Sequence, residues 1–196
     1  MREITRLVIV LTLICGISAA ALTDARQSLG PRIEQQNDLY VRGPALERLF
    51  ELPASELLGQ KVNVPVGDES VPVFYLEEKG EVTFLAIEAA GSGGYGGDIV
   101  VMIGVDLRND EMVGIEIIQH NETPGVGSKV EKETFRSQWK KIPVNEPVDL
   151  RSQGGRIDAI SGATYSSKAM VNGTNRIVEI LDKHRGEILA AIEKQE

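Results

Sequence analysis

Between residues 71 and 119 the chain alternates apolar, β-branched runs with short turns and leaves no room for a helix between them. The runs 71–76, 82–87, 99–105 and 112–118 are rich in Val, Ile and aromatic residues, the composition of pleated strands. Polar or glycine-rich segments at 77–80, 91–97 and 108–111 separate them. Two parallel neighbours need a crossover of a dozen or more residues, usually a helix, whereas antiparallel neighbours need only a turn. The spacing therefore predicts an antiparallel sheet, with 99–107 and 112–119 joined as a hairpin across Arg108-Asn109-Asp110-Glu111. Segment 57–66 leads into the same β region.

Helical patterns flank this block. After Thr164, Met170, Gly173 or Thr174, Ile177 and Leu181 recur at three- to four-residue spacing and predict a helix with one buried face. Lys168, Asn175, Glu179 and Asp182 fall off that face, and Ser166 or Ser167 suits the N-cap. Segment 186–196 is charged, either frayed or helical. Within 129–141, Phe135 and Trp139 stand four apart on one helix face. Upstream, 23–52 is polar and helix-like, with Leu39, Leu46, Leu49 and Phe50 as its buried positions. Gly30-Pro31 and Gly43-Pro44 punctuate it, predicting a short first helix, a break, and a helix near 44–51.

Residues 7–22 carry no charge and lie after Arg2 and Arg6. The run approaches the roughly 20 residues that a membrane helix needs. A positive start, an apolar centre and the small residues Ala19-Ala20-Ala21 equally suit a cleaved signal peptide. Either reading exports the remainder of the chain; Arg26 and Arg32 after the run match Arg2 and Arg6 before it in number, but the earlier pair lies closer and the amino terminus adds charge, which favours an N-terminus inside. The expected organisation is a short cytoplasmic N-terminus (1–6), a transmembrane anchor (7–22), a helical connector (23–52) and one functional domain (53–196). The expected fold class is α+β: a twisted antiparallel sheet, half-barrel-like, flanked by helices, with one N-terminal transmembrane helix.

Composition narrows the chemistry. A net charge of -8 argues against a nucleic-acid partner, which needs a basic face. Cys15, inside the apolar run, is the single cysteine, so an intrachain disulfide, an iron–sulfur cluster and a cysteine zinc site are excluded. His120 and His184 lie far apart without metal-ligand spacing. Any redox chemistry here needs a bound organic cofactor.

Three stretches stand out. Gly91-Ser92-Gly93-Gly94-Tyr95-Gly96 formally matches G-x-G-x-x-G, but a strand comes after it where a dinucleotide fingerprint requires a helix. It reads as a flexible loop, or as a loop whose bare backbone admits a cofactor beside Tyr95. His120-Asn121-Glu122 reads most simply as the end of a strand. The next residues, Thr123-Pro124-Gly125-Val126-Gly127, form a shaped loop, because Pro presets φ and Gly permits positive φ. The third stretch, Ser161-Gly162-Ala163-Thr164, stands just before the predicted helix, where free N–H groups and the helix dipole favour a phosphate. No His or Lys is spaced to activate Ser161 or Thr164 as a catalytic nucleophile; Lys168 equally suits pairing with a phosphate. The plain reading of this stretch is a capped glycine loop.

Asp158-Ala159-Ile160-Ser161-Gly162-Ala163-Thr164 resembles the flavinylation motif of the FMN-binding domain family. Gly94-Tyr95-Gly96-Gly97 and Glu122-Thr123-Pro124-Gly125-Val126-Gly127 precede it in the order seen in G subunits of Rnf electron transport complexes, and the resemblance spans about residues 1–185. It implies FMN bonded to Thr164 through a phosphoester, made from FAD by a separate flavin transferase with a divalent cation. Asp158, Ser161, Gly162 and Ala163 would form the recognised loop. Glu122, Thr123, Pro124, Gly125 and Gly127 would face the flavin ring, with Tyr95 beside it. It further implies that 53–196 is an FMN-binding domain on the periplasmic side of a bacterial inner membrane. That domain would relay electrons among the other subunits of a complex exchanging electrons between ferredoxin and NAD and moving ions; it is a carrier, with no catalytic residue of its own. Val126 stands where Leu is more usual, and Gly30-Pro31 interrupts the expected long helix. The modest length favours this type of subunit over the C subunit of the sodium-translocating NADH:quinone reductase. Two readings from other classes are an exported binding module without flavin and a stand-alone reductase; for the latter the chain offers no obvious substrate-protonating residue.

Overall fold

Five antiparallel strands form one open sheet in the order of the chain: β1 (Lys61–Val66), β2 (Glu69–Glu78), β3 (Glu81–Gly91), β4 (Ile99–Asp106) and β5 (Glu111–Gln119). The computed structural model describes residues 2–67 and 69–194. The predicted hairpin is β4–β5, with Asp106 opposite Glu111. The α+β class and the antiparallel sheet expected from strand spacing are both present.

The chain divides into two units, Met1–Tyr40 and Val41–Glu196. The first contains helix α1 (Arg2–Asn37), which has no buried residue and is long and apolar enough to cross a membrane. The break expected at Gly30-Pro31 is absent, for α1 runs through Pro31. A proline removes one i to i−4 bond and costs about 3 kcal/mol in a helix interior. The turns on either side keep their own bonds, so one missing bond does not end the helix. A π-helical turn comes next at Asp38–Arg42. Leu39, expected to be buried, is 59% exposed.

The second unit is built on both faces of the sheet. Alternation along each strand sends neighbours to opposite sides. On one face Val73, Leu85, Ile87, Val101, Ile103 and Ile115 meet the long helix α5 (Thr164–Glu193) through Met170, Ile177 and Leu181. On the other, Phe74, Ala86 and Met102 meet α2 (Gly43–Phe50) and α3 (Ala54–Leu57) through Ala45, Leu46, Leu49 and Leu57. Helix α2 opens at Gly43-Pro44 as expected, with Pro in its first turn.

Helix α5 lies close to β3. A methyl group on Gly91 would collide with the carbonyl of Ala169, and one on Gly173 would stand 2.7 Å from Val101 Cγ2. Asn175, expected off the buried face, is half-buried: its amide donates to the Val148 carbonyl (2.9 Å) and accepts from the Val148 N–H (2.7 Å). A polar side chain can face inward when both halves of its amide find partners.

The segment read as one helical face at 129–141 is broken into a 3-10 turn (Gly127–Glu131), α4 (Glu133–Arg136) and a second 3-10 turn (Ser137–Trp139). Phe135 and Trp139 are both buried, with ring centroids 5.3 Å apart. Of the charged tail, residues 186–193 are helical within α5, and residues 195 and 196 lie outside the described residues.

Candidate functional site

Thr164 opens α5 and is exposed. A tight turn leads into it: the Ala163 N–H donates to the Ile160 carbonyl at 2.9 Å, and Gly162 takes φ 78°. Positive φ at the third position of such a turn is what glycine supplies. The N-cap is Ala163, with no side-chain cap, in place of Ser166 or Ser167. Both serines lie inside the first turn. Ser167 Oγ accepts from the Ile160 N–H (3.0 Å) and donates to the Ala163 carbonyl (3.0 Å), bracing the turn from within. The Ser167 N–H makes the first bond back to Ala163, which leaves the preceding amides at the positive end of the helix dipole.

Ser161 and Gly162 are exposed, while Ala163 is buried. Asp158 pairs through its carboxylate with Arg151 Nε at 3.1 Å. Its backbone is gripped by Gln138, whose Oε1 accepts from the Asp158 N–H (2.7 Å) and whose Nε2 donates to the Asp158 carbonyl (3.3 Å).

The loop after β5 is shaped by its own backbone. The N–H groups of Val126 and Ser128 both donate to the Thr123 carbonyl at 3.2 Å, and the Gly125 N–H donates to Ser128 Oγ at 2.9 Å. Gly125 takes φ 76°, and Thr123 and Pro124 are exposed. Glu122 is 5% exposed and binds two other segments: it accepts from the Gly96 N–H (3.1 Å) and from the Ser166 hydroxyl (2.7 Å). These contacts bring the glycine loop after β3, the loop after β5 and the first turn of α5 together. A methyl group at Gly127 would stand 2.7 Å from Ser166 Oγ, so only glycine lets that loop rest on the helix.

Tyr95 (78%), Val126 (44%) and Tyr165 (68%) are the exposed large hydrophobic side chains among the described residues of the second unit. Each belongs to one of the three segments that Glu122 joins or adjoins. His120 closes the strand as expected, with Nδ1 accepting from the Glu122 N–H (3.0 Å) and Nε2 paired with Glu131 (2.9 Å). Among the described residues no group of His, Cys, Asp and Glu is placed to hold a metal ion.

The sequence marks Ser166 and Ser167 only as cap candidates and does not single out Gln138. The signal for Ser166 and Ser167 is their place just after the motif; nothing local marks Gln138.

Residues 94–179 match the FMN-binding domain family, which covers all three segments of this site. The chain thus resembles an FMN-binding domain set behind a long apolar helix. More particularly, it is similar to the G subunit of the ion-translocating oxidoreductase complex. It is 32% identical to that protein from Haemophilus influenzae over 117 residues, covering 56% of this chain and 55% of the relative. It is 28% identical to the G subunit from Methanosarcina acetivorans over 195 residues, covering 94% of this chain and 98% of the relative. The match therefore spans little more than half the length of the Haemophilus protein. Among solved structures, the crystal structure of Shewanella oneidensis NqrC superposes with a TM-score of 0.52 at 18% identity, over 65% of this chain and 70% of that one, a likeness of fold.

Proposed function

We propose that this chain is a membrane-anchored flavoprotein subunit that carries FMN on Thr164 through a phosphoester and relays electrons within an Rnf-type complex. The observation that most supports this reading is the convergence of the Gly94–Gly97, Glu122–Gly127 and Asp158–Thr164 motifs at the first turn of α5, with Thr164 exposed at its start.

The residues present fit the group. A phosphodiester keeps one negative charge, and the uncapped start of α5 offers amides and a dipole of matching sign. Ser161, Gly162 and Ala163 leave the approach to Thr164 free of bulk. Thr123, Pro124, Gly125 and Gly127 are assigned to the wall beside the flavin ring, and the exposed Tyr95, Val126 and Tyr165 offer apolar surface to a flat aromatic ring. Asp158, paired with Arg151, is assigned to recognition by a flavin transferase. FMN, when bound, supplies the redox chemistry; the protein tethers it, shields it and sets its surroundings. A tether suits an exported domain, since a bound cofactor is not lost to the medium.

The anchor is assigned to 7–22, with the FMN-binding domain beyond it on the periplasmic side of the inner membrane. Its partners are the other subunits of the complex and, during maturation, a flavin transferase. Co-expression with such a transferase should give a flavin-fluorescent band in a denaturing gel and an intact mass increased by one FMN. Both should vanish in Thr164→Ala. A wild-type band without flavin would sink the proposal.

A second reading, the C subunit of a sodium-translocating NADH:quinone reductase, draws on the fold shared with NqrC. Affinity purification from a native membrane separates the two: co-purifying ferredoxin:NAD activity supports the first, and NADH:quinone activity the second.

A further inference from the structure

We propose that Glu122 is a positioning residue: its buried carboxylate sets how the first turn of α5 presents Thr164. The proposal rests on the reading of Thr164 as the attachment residue.

Both oxygens of Glu122 are turned inward. Oε1 accepts from the Gly96 N–H at 3.1 Å and Oε2 from the Ser166 hydroxyl at 2.7 Å. The backbone closes on the carboxylate from two sides: a methyl group at Gly94 would stand 2.5 Å from Oε1, and one at Gly127 would intrude on Oε2. No cation pairs with Glu122 among the described residues. A carboxylate taken out of water and held by neutral donors alone costs more than an amide in the same place. Its advantage is geometric. A carboxylate accepts at both oxygens, and each of its neighbours here is a donor. One side chain therefore fixes the glycine loop and the helix start in a single relative placement.

Ser166 is the link to Thr164. It lies two residues along the same turn, is 1% exposed, and its hydroxyl is the donor from α5 to Glu122. Ser167, its neighbour, holds the other side of the turn through Ile160 and Ala163. Glu122 thus sets the roll of the first turn relative to the β5 loop, and Ser167 sets its closure. Glu122 joins the segments that carry Tyr95, Val126 and Tyr165, together with the Asn172 amide on the Ser92 carbonyl (2.8 Å) and the close seating of Gly127 on Ser166. The carboxylate itself touches no ligand in this assignment; it acts through Ser166 and Gly96.

The test uses the full-length chain in detergent and has two readouts. The first is amide hydrogen exchange without flavin, comparing Ser167–Met170, where the turn is read indirectly, with a remote stretch of α5 at 177–181. Glu122→Ala should speed exchange at 167–170 by at least about tenfold, the equivalent of one lost buried hydrogen-bond partner, and leave 177–181 unchanged. Glu122→Gln, which preserves the shape and the acceptor for Gly96 but turns an NH2 towards Ser166, should restore protection in part. Ser166→Ala, which removes one arm, should fall between and guards against loss of the fold in Glu122→Ala. The second readout is the rate of FMN transfer to Thr164 by a flavin transferase, which should fall at least about tenfold in Glu122→Ala and recover in part in Glu122→Gln. Wild-type exchange at 167–170 in Glu122→Ala, or transfer at the wild-type rate, overturns the proposal. If wild-type protein accepts no flavin, the attachment reading fails, while the exchange result still decides whether Glu122 holds the turn.

Discussion

Trp139 Nε1 donates to Thr174 Oγ1 at 2.8 Å, and both residues are completely buried. The pair joins the 3-10 turn after α4 to the middle of α5. Thr174 Oγ1 donates in turn to the Met170 carbonyl at 2.9 Å, so neither polar group is wasted. Replacing Thr174 by Val keeps the shape but orphans the indole N–H. A buried donor without a partner costs about 1–3 kcal/mol. Thr174→Val should lower the urea midpoint accordingly, and Thr174→Ser should recover most of the loss.

Glycines in α5 separate packing from propensity. Alanine gains up to about 1 kcal/mol over glycine in a helix interior. At Gly186 an added methyl meets nothing within 4 Å, so Gly186→Ala should raise the thermal midpoint. At Gly173 the same methyl would press 2.7 Å from Val101 Cγ2 and 3.2 Å from the Gly91 nitrogen, and Val101 is fully buried. Overpacking costs about 1–3 kcal/mol, which exceeds the propensity gain. Gly173→Ala should therefore destabilise, the opposite sign in the same helix.

Arg42 grips Glu88 with two bonds, Nε to Oε1 at 2.5 Å and Nη2 to Oε2 at 3.1 Å, with both side chains nearly buried. Removing one partner of a buried pair strands the other charge and costs about 3–5 kcal/mol. Arg42→Ala should show a loss of that order in chemical denaturation. Arg42→Met combined with Glu88→Met should recover much of it, since two apolar side chains leave no charge behind.

Burial of Asp106 disfavours its charge, but hydrogen bonds from the Arg108 N–H, the Asn109 amide and the Arg108 guanidinium, with the Arg108 charge, outweigh it and hold the pKa below its ordinary 3.8. A folded pKa below the unfolded one stabilises above the unfolded value, and that contribution disappears as pH falls through the folded one. Asp106→Asn should thus be less stable than wild type at pH 7. The gap should narrow as the pH falls below about 3.8 and close once the folded pKa is passed, as read by parallel denaturation series.

The strands were legible because their evidence is local. Alternation and β-branching mark 99–105 and 112–118, and a polar tetrapeptide between them permits only a hairpin. The Met170, Ile177 and Leu181 face was legible for the same reason, since helical period is a property of neighbours in the chain. Local pattern does not reach a residue whose partner lies far away in the chain. Asn175 looks like a solvent residue until Val148 arrives beside it. Ser166 looks like a cap until Glu122 claims its hydroxyl. Pro31 looks like a break, yet α1 runs through it, because the turns on either side keep their own bonds.

The same division runs through the site. The three motifs, their order and the small residues at Ser161–Ala163 before a helix are local features, because turn chemistry and helix starts depend on adjacent φ and ψ preferences. That these motifs meet, that Glu122 faces inward to Gly96 and Ser166, and that Asp158 pairs with Arg151 are visible in the folded chain alone. The meeting of the motifs follows from packing α5 against β3 and β4. The glycines at 91 and 173 admit the helix at close range, and its first turn is thereby brought beside the loop that leaves β5.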